Sequence, residues 1–302
     1  MSFDTPVTMS ARWRRWRDRV LLQEDLNFLL TNRVPRIALT RLMGWYSRID
    51  SPRLTRVSVA LWRLFTELDL SDAAPGPYRS LRDVFTRALR PGARPFDPDP
   101  DVLCSPCDAI VGANGSVQGT TAWQAKGFPY RLQDLMGESA AARFANGRFV
   151  TLRLTSAMYH RFHAPSDVRL RHVTYFSGDT WNVNPIALRR IERLFCRNER
   201  AVLLTELPDG TPMAIVAVAA ILVASIRLHA LDVTLHLRYR GPNEIPCDVA
   251  LPRGAELGWF EHGSTLILFV PPTFALVEGI DTGTRVRAGQ ALWRRVPPIV
   301  AG

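Results

Sequence analysis

Before about residue 70, apolar positions recur at helical spacing; after Val102 they come in strand-length runs separated by turn residues. In "ARWRRWRDRVLL", Trp13, Trp16 and Val20 stand at i, i+3 and i+7, with Arg12, Arg14, Arg15 and Arg19 elsewhere around the helix. "IALTRLMGWYSRI" and "VSVALWRLF" continue the amphipathic pattern. "DAAPGPY" breaks it, and "YRSLRDVFTRALRPGARP" reads as a short helix ended by Pro91-Gly92. "FDPDPDV" is a loop. Strands are expected at "AIVGANGSV", "GRFVTLRL", "AVLLTEL", Met213 to Ile226, "VTLHLRY" and "STLILFV". Short helices are expected at "YRLQDLMG" and "PIALRRIERL", and the tail "GIDTGTRVRAGQALWRR" is turn-rich and β-like. The predicted architecture is α+β, with N-terminal amphipathic helices on a β-rich single catalytic core: residues 1–75 helical and membrane-associating, residues 76–302 the core.

Composition adds a partner class. The 302 residues are 47% hydrophobic, enough to bury a substantial core, and the formal net charge is +10, carried overwhelmingly by arginine. Such a balance favours an anionic partner, either nucleic acid or an anionic membrane surface. No zinc-finger spacing, RNP-like signature or heptad zipper accompanies it, so no nucleic-acid partner is expected. The Trp and Arg pattern of residues 11–22 suits an interfacial helix, with aromatics at headgroup depth and cations toward lipid phosphates. It equally describes a docking helix with a solvated arginine face. The longest apolar run, Met213 to Ile226, is too short to span a bilayer as a helix and is rich in Val and Ile, so it reads as buried strand. The N-terminus carries no apolar signal-peptide region, and four cysteines without a framework pattern fit a reducing compartment.

Three stretches carry candidate chemistry: "CSPCDAIVG" with Asp108, "MYHRFHAP" with His160 and His163, and "EHGST" with Ser264. Together they supply an acid, imidazoles and a hydroxyl, the parts of a nucleophile–base–orienter set. A metal reading competes, because Cys104, Cys107, His160 and His163 are the types of a Cys2His2 zinc site. The interval between the pairs is far longer than in a zinc finger, and two structural cysteines are the simpler reading; no metal is expected. Asp108 taken alone is as readily a turn-capping carboxylate.

In this order the motifs resemble those of the phosphatidylserine decarboxylase family, which depends on a pyruvoyl group. Ser105-Pro106-Cys107-Asp108-Ala109 is similar to its Ser-Pro-x-Asp-Gly motif. Tyr159-His160-Arg161-Phe162-His163-Ala164-Pro165 is similar to its Tyr-His-Arg-x-His-x-Pro motif, and Gly263-Ser264-Thr265 to its processing motif. "KGFPYRLQDLMG", "WNVNPIAL", "NER", "RGAELGWFEHGST" and "ALTRLMGW" agree as well, so that the likeness covers roughly residues 25–290. Three departures stand out: Ala109 in place of Gly, Ser166-Asp167-Val168 in place of a segment that often ends in Gly, and His262 in place of Leu before Gly263.

The resemblance implies self-cleavage between Gly263 and Ser264. Ser264 attacks the Gly263 carbonyl, the amide becomes an ester, and elimination and hydrolysis leave a pyruvoyl group and ammonia. The products are a β-chain of residues 1–263 and an α-chain of 264–302. The resemblance makes His163 the base and Asp108 its orienter. In turnover the amine of phosphatidylserine forms a Schiff base with the pyruvoyl carbonyl, CO2 leaves, and His160 protonates the carbanion to give phosphatidylethanolamine. If residues 261–270 are extended, His262, Ser264 and Leu266 share a face, where His262 assists Ser264 or packs; packing is the favoured reading. The expected enzyme is a peripheral protein of the cytoplasmic face of the cell membrane, and a homodimer is compatible with the sequence. Alternatives are a pyruvoyl-dependent decarboxylase of another amino-acid or lipid headgroup, and a membrane-binding relative that never matures.

Overall fold

The computed structural model describes residues 24–25, 28–29, 35–125, 128–261 and 263–296. The expected helix around Trp13, Trp16 and Val20 lies outside the described residues. Helix α1 (Arg36–Tyr46) starts behind Pro35. Helix α2 (Pro52–Phe65) starts where Ser51 accepts the Leu54 amide at 3.4 Å, with Pro52 in the first turn, where a missing amide costs nothing. Helix α3 (Leu81–Phe85) carries a capping box in which Ser80 and Asp83 bond each other's backbone amides. It is shorter than the sequence suggests: Thr86 already leaves helical geometry, and Leu89 turns back to bridge Ala73.

The centre is an eight-stranded antiparallel sheet. Across it run Glu244–Leu251, Val168–Phe176, Arg200–Glu206, Pro212–Ala219, Ser264–Val270, Arg148–Leu154, Ala109–Ser116 and Arg285–Val286. Alternation along the strands assigns side chains to two faces. Leu152, Leu154, Leu266 and Leu268 meet Phe162 and Phe260 of a four-stranded sheet on one face. Phe149, Val216, Ile267 and Phe269 meet the short helices Leu132–Met136, Pro185–Leu188 and Leu194–Arg197 on the other. Val59 of α2 and Val84 and Phe85 of α3 form a third, smaller cluster with Leu68 and Leu70. The α+β expectation holds.

Two local expectations change. The run from Met213 to Ile226 is not one strand: the large sheet's strand ends at Ala219, and Ser225–Leu228 belongs to the four-stranded sheet. The turn between them has Leu222 and Ala224 at φ 91° and 46°, held by the Leu222 amide donating to Thr40 of α1. Because α1 covers this turn, its residues stay apolar and no Gly or Pro marks the break. The strand Val168–Phe176 is absent from the sequence pattern, since a bulge between Leu170 and His172 interrupts its alternation.

Candidate active site

Ser264 is the first residue of the sheet's central strand, flanked by Ala219 on one side and Leu154 on the other. It is fully buried, and its Oγ has no hydrogen-bond partner among the described residues. A buried hydroxyl without a partner is costly, and Ser264 shares this state with its neighbour Thr265. Packing does not demand glycine at 263: an added Cβ would meet only the Leu154 carbonyl oxygen, at 3.7 Å. Gly263 instead lines a cavity of about 710 Å³. The walls are Met43 and Tyr46 of α1, Leu61, Trp62 and Phe65 of α2, and the turn Ala220–Leu222.

The histidine motif lies on the neighbouring sheet. Arg161–His163 pairs with Glu256–Phe260, and the Phe260 amide donates to the His160 carbonyl, placing the motif next to the chain that leads into Gly263. His160 is fully buried, its ring edge-on to Phe85 at 6.0 Å. The His163 ring lies between Tyr159 and the backbone: Nδ1 donates to the Gly254 carbonyl at 2.9 Å, which leaves Nε2 as acceptor for the Tyr159 hydroxyl at 3.0 Å. Burial lowers the His163 pKa from its ordinary 6.5, although the Gly254 hydrogen bond opposes the shift. The ring is therefore neutral at neutral pH, with its lone pair on Nε2.

Asp108 follows a turn closed by Ser105, whose hydroxyl donates to the Cys107 carbonyl at 2.8 Å. Its carboxylate accepts two hydrogen bonds from Arg94, at 2.8 and 2.6 Å, and one from the Ala288 amide at 2.9 Å. Arg94 also reaches Asp72 at 2.8 Å. The turn is tied to the histidine motif through backbone, because the His163 amide donates to the Pro106 carbonyl at 2.8 Å. The structure thus brings the Asp108 and His163 segments together, but no hydrogen bond joins Asp108 to His163 or either to Ser264 among the described residues.

Of the three departures, Ala109 and Val168 sit in ordinary extended strand backbone, neither at positive φ, so a side chain fits both positions without strain. His262 lies outside the described residues. Cys104 and Cys107 are both buried, which raises the pKa of Cys104 and holds Cys107 well above its ordinary value. Cys104 packs against the cationic Arg253, and no group of three or more potential ligands converges among the described residues.

Sequence reasoning missed the arginines. Glu261, buried two residues before Gly263, is bound by Arg48 at 3.1 Å and Arg82 at 2.7 Å. This pair of contacts fastens the segment leading into Gly263 to the helical layer. Arg94, which holds Asp108, was equally unmarked. The only available signal was the abundance of arginine, which does not say which ones turn inward.

Ser264 thus carries a buried hydroxyl without a partner among the described residues beside the cavity-lining Gly263, while Asp108 and Tyr159 line a separate, more polar cavity of about 410 Å³. A profile of the phosphatidylserine decarboxylase family matches residues 81–294. A phosphatidylserine decarboxylase proenzyme of Shewanella baltica is 35% identical over 281 residues, covering 89% of this chain and 96% of the relative. Proenzymes of the same name from Brevibacillus brevis and Bordetella pertussis are 33% and 36% identical, covering 87% and 85% of this chain and 95% and 90% of theirs. The chain belongs to the phosphatidylserine decarboxylase family, whose members are carboxy-lyases.

Proposed function

We propose that this chain is a self-processing phosphatidylserine decarboxylase that cuts itself between Gly263 and Ser264. The observation that carries the reading is the Ser264 hydroxyl, buried and without a partner among the described residues, next to Gly263, which lines the cavity. Glycine here serves access rather than packing, since a Cβ would fit. His163 is the base for the cut: its tautomer is set by Gly254, and Nε2 is free of a proton at neutral pH. To reach Ser264, the imidazole exchanges its Tyr159 contact for the serine hydroxyl. Asp108 holds the turn that carries the His163 backbone, and Arg94 keeps that carboxylate in place.

A pyruvoyl group made from Ser264 would supply an electron-accepting carbonyl for the loss of CO2 from phosphatidylserine, giving phosphatidylethanolamine. The fit of these residues to such a group rests on Ser264 itself, which is buried from water beside the cavity-lining Gly263. We assign the return of a proton to the decarboxylated carbon to His160, which is buried beside the chain leading to Gly263.

Lipid reaches the cavity from the membrane. Leu42 and Trp45 of α1 and Val57, Leu61 and Phe65 of α2 are exposed, and Leu61 and Phe65 also line the cavity mouth. Apolar side chains at a mouth are suited to an interfacial surface, with the arginines of these helices toward anionic headgroups. No helix of the described residues is long and apolar enough to cross a membrane.

Intact-mass measurement tests the reading. Purified protein should consist of two chains, the smaller beginning with a blocked, pyruvoyl-capped residue 264, and Ser264→Ala should remain one chain without activity. An uncut wild type that decarboxylates phosphatidylserine at full rate would overturn it.

A further inference from the structure

The large cavity holds a charged side chain. Among the described residues that line it are hydroxyls, amides, aliphatic and aromatic groups, and of these only Arg153 carries charge. Arg153 lies near the end of the strand Arg148–Leu154, directly opposite Thr265, the residue after Ser264. Opposed residues of antiparallel strands have Cα atoms about 5 Å apart, so the Arg153 side chain starts within one arginine's length of the cleavage site. Four other arginines near the active site have acceptors: Arg48 and Arg82 bind Glu261, Arg87 binds the Val84 and Ala157 carbonyls, and Arg94 binds Asp108 and Asp72. The Arg153 side chain has no hydrogen bond or ion pair with any described residue, and burial lowers its pKa. A cation set into an apolar cavity without a counter-charge is expensive unless a ligand supplies one.

We propose that Arg153 is the binding site for the phosphodiester of the lipid headgroup. This rests on the decarboxylase reading above. The headgroup of phosphatidylserine has two anions, and the reaction distinguishes them. A cation on the carboxylate would stabilise the ground state more than the transition state, because that charge leaves the carboxylate as CO2 departs, so it would slow the reaction. The phosphodiester keeps its charge throughout. An arginine there binds ground state and transition state alike, and its planar fork matches two phosphate oxygens. Asn182, Asn184, Thr155 and Ser156, which share the cavity wall, give the polar surroundings such a headgroup needs. The apolar wall from α1 and α2 takes the start of the acyl chains. Arg153 thus sets how the lipid is seated, with its serine end toward residue 264 and its tails toward the exposed helices.

Binding is measured first, with probes that cannot react. Dihexanoyl phosphatidylglycerol has the phosphodiester without amine or carboxylate, dihexanoylglycerol has the tails alone, and inorganic phosphate has the anion alone. Arg153→Gln should weaken phosphatidylglycerol binding by about 10- to 100-fold, the worth of a charge-assisted, two-pronged contact, and leave dihexanoylglycerol unchanged. Arg153→Lys, which keeps the charge and loses the fork, should fall between. Inorganic phosphate should compete only weakly. In kinetics on monomeric short-chain phosphatidylserine, Arg153→Gln should raise KM by a similar factor with kcat within about threefold, the signature of uniform binding lost. Self-cleavage should proceed, since Ser264 and the histidines are untouched.

Unchanged phosphatidylglycerol affinity in Arg153→Gln would overturn the proposal. So would equal loss for both lipids, which would make Arg153 a structural residue, or inorganic phosphate binding as tightly as the lipid, which would make the ligand a free anion. A wild type that turns over no phosphatidylserine would refute the decarboxylase reading, while the binding comparison would still decide on Arg153.

Discussion

At the scale of residues, the two histidines of one short motif have different surroundings and should behave differently. His163 has its tautomer fixed by Gly254 and an unprotonated Nε2 that accepts from Tyr159, whereas His160 packs against Phe85. His163→Ala and Asp108→Ala should remain largely uncut, slowed by about 100-fold or more, since Ser264 loses its base or the carboxylate that steadies that base's segment. His160→Ala should cut and then decarboxylate poorly. Time courses of cleavage by mass, followed by CO2 release from the cut material, separate the two; normal turnover by His160→Ala would end its assignment. Burial also sets a pH window. With its folded pKa below 6.5, His163 is a competent base at and above 6.5, and the cleavage rate should be flat there and fall only as the medium becomes more acid. Stability follows the same sense. The unfolded chain takes up a proton near 6.5 and the native ring does not, so this contribution is fully present above 6.5 and is lost as pH falls through the lowered native value.

At the scale of elements, α1 and α2 hold residues that pack and residues that face outward. Thr40, Thr55 and Val59 are buried, whereas Leu42, Trp45 and Val57 are among the most exposed large apolar side chains of the described residues. None of these three exposed residues lines the cavity, so they test the membrane role without touching the substrate pocket. Replacing all three by serine should reduce binding to vesicles containing anionic lipid and lower activity on bilayer phosphatidylserine by about 10-fold or more, at about 0.8 kcal/mol for each CH2 withdrawn from the bilayer. Activity on monomeric short-chain lipid should change little; equal losses on both would show that the helices serve the fold. Amphipathic spacing alone makes these helices legible in the sequence, as alternation does the Arg148–Leu154 and Ser264–Val270 strands. The motif residues Asp108, His160, His163 and Ser264 are legible as chemical types. What stays hidden depends on contacts between distant segments: the apolar turn Ala220–Ala224 buried under α1, the arginines holding Glu261 and Asp108, and the cavity itself. A local pattern records the face a residue presents, but not which arginine finds a carboxylate more than a hundred positions away, as Arg48 and Arg82 do with Glu261.

At the scale of the molecule, the proposed cut falls at an unusual place, one bond before the central strand of the largest sheet. Ser264–Val270 is wholly buried and hydrogen-bonded along its length to Pro212–Ala219 on one side and Arg148–Leu154 on the other. Further along, Phe274–Leu276 and Ala291–Arg295 pair with each other, Ala291–Arg295 pairs with Val102–Cys104, and Arg285–Val286 extends the large sheet. The segment after residue 263 therefore contributes its central strand, one edge and most of a second sheet to a fold whose remainder comes from before the cut. Breaking one backbone bond removes none of these contacts, so the two chains should comigrate in gel filtration at nanomolar concentration and separate only in denaturant. The asymmetry should appear on refolding. Uncut Ser264→Ala refolds within one molecule, where the central strand is always at hand. The cut protein must recapture a fragment from solution, and the unfolded larger chain meanwhile exposes two apolar strands with an empty place between them, a template for aggregation. After dilution from urea, Ser264→Ala should regain its native melting transition at any protein concentration low enough to avoid aggregation. The yield from the cut wild type should be low, and should depend on the concentration of added small chain. Equal, concentration-independent recovery of both would mean that the segment 264–302 is not integral to the sheet after maturation.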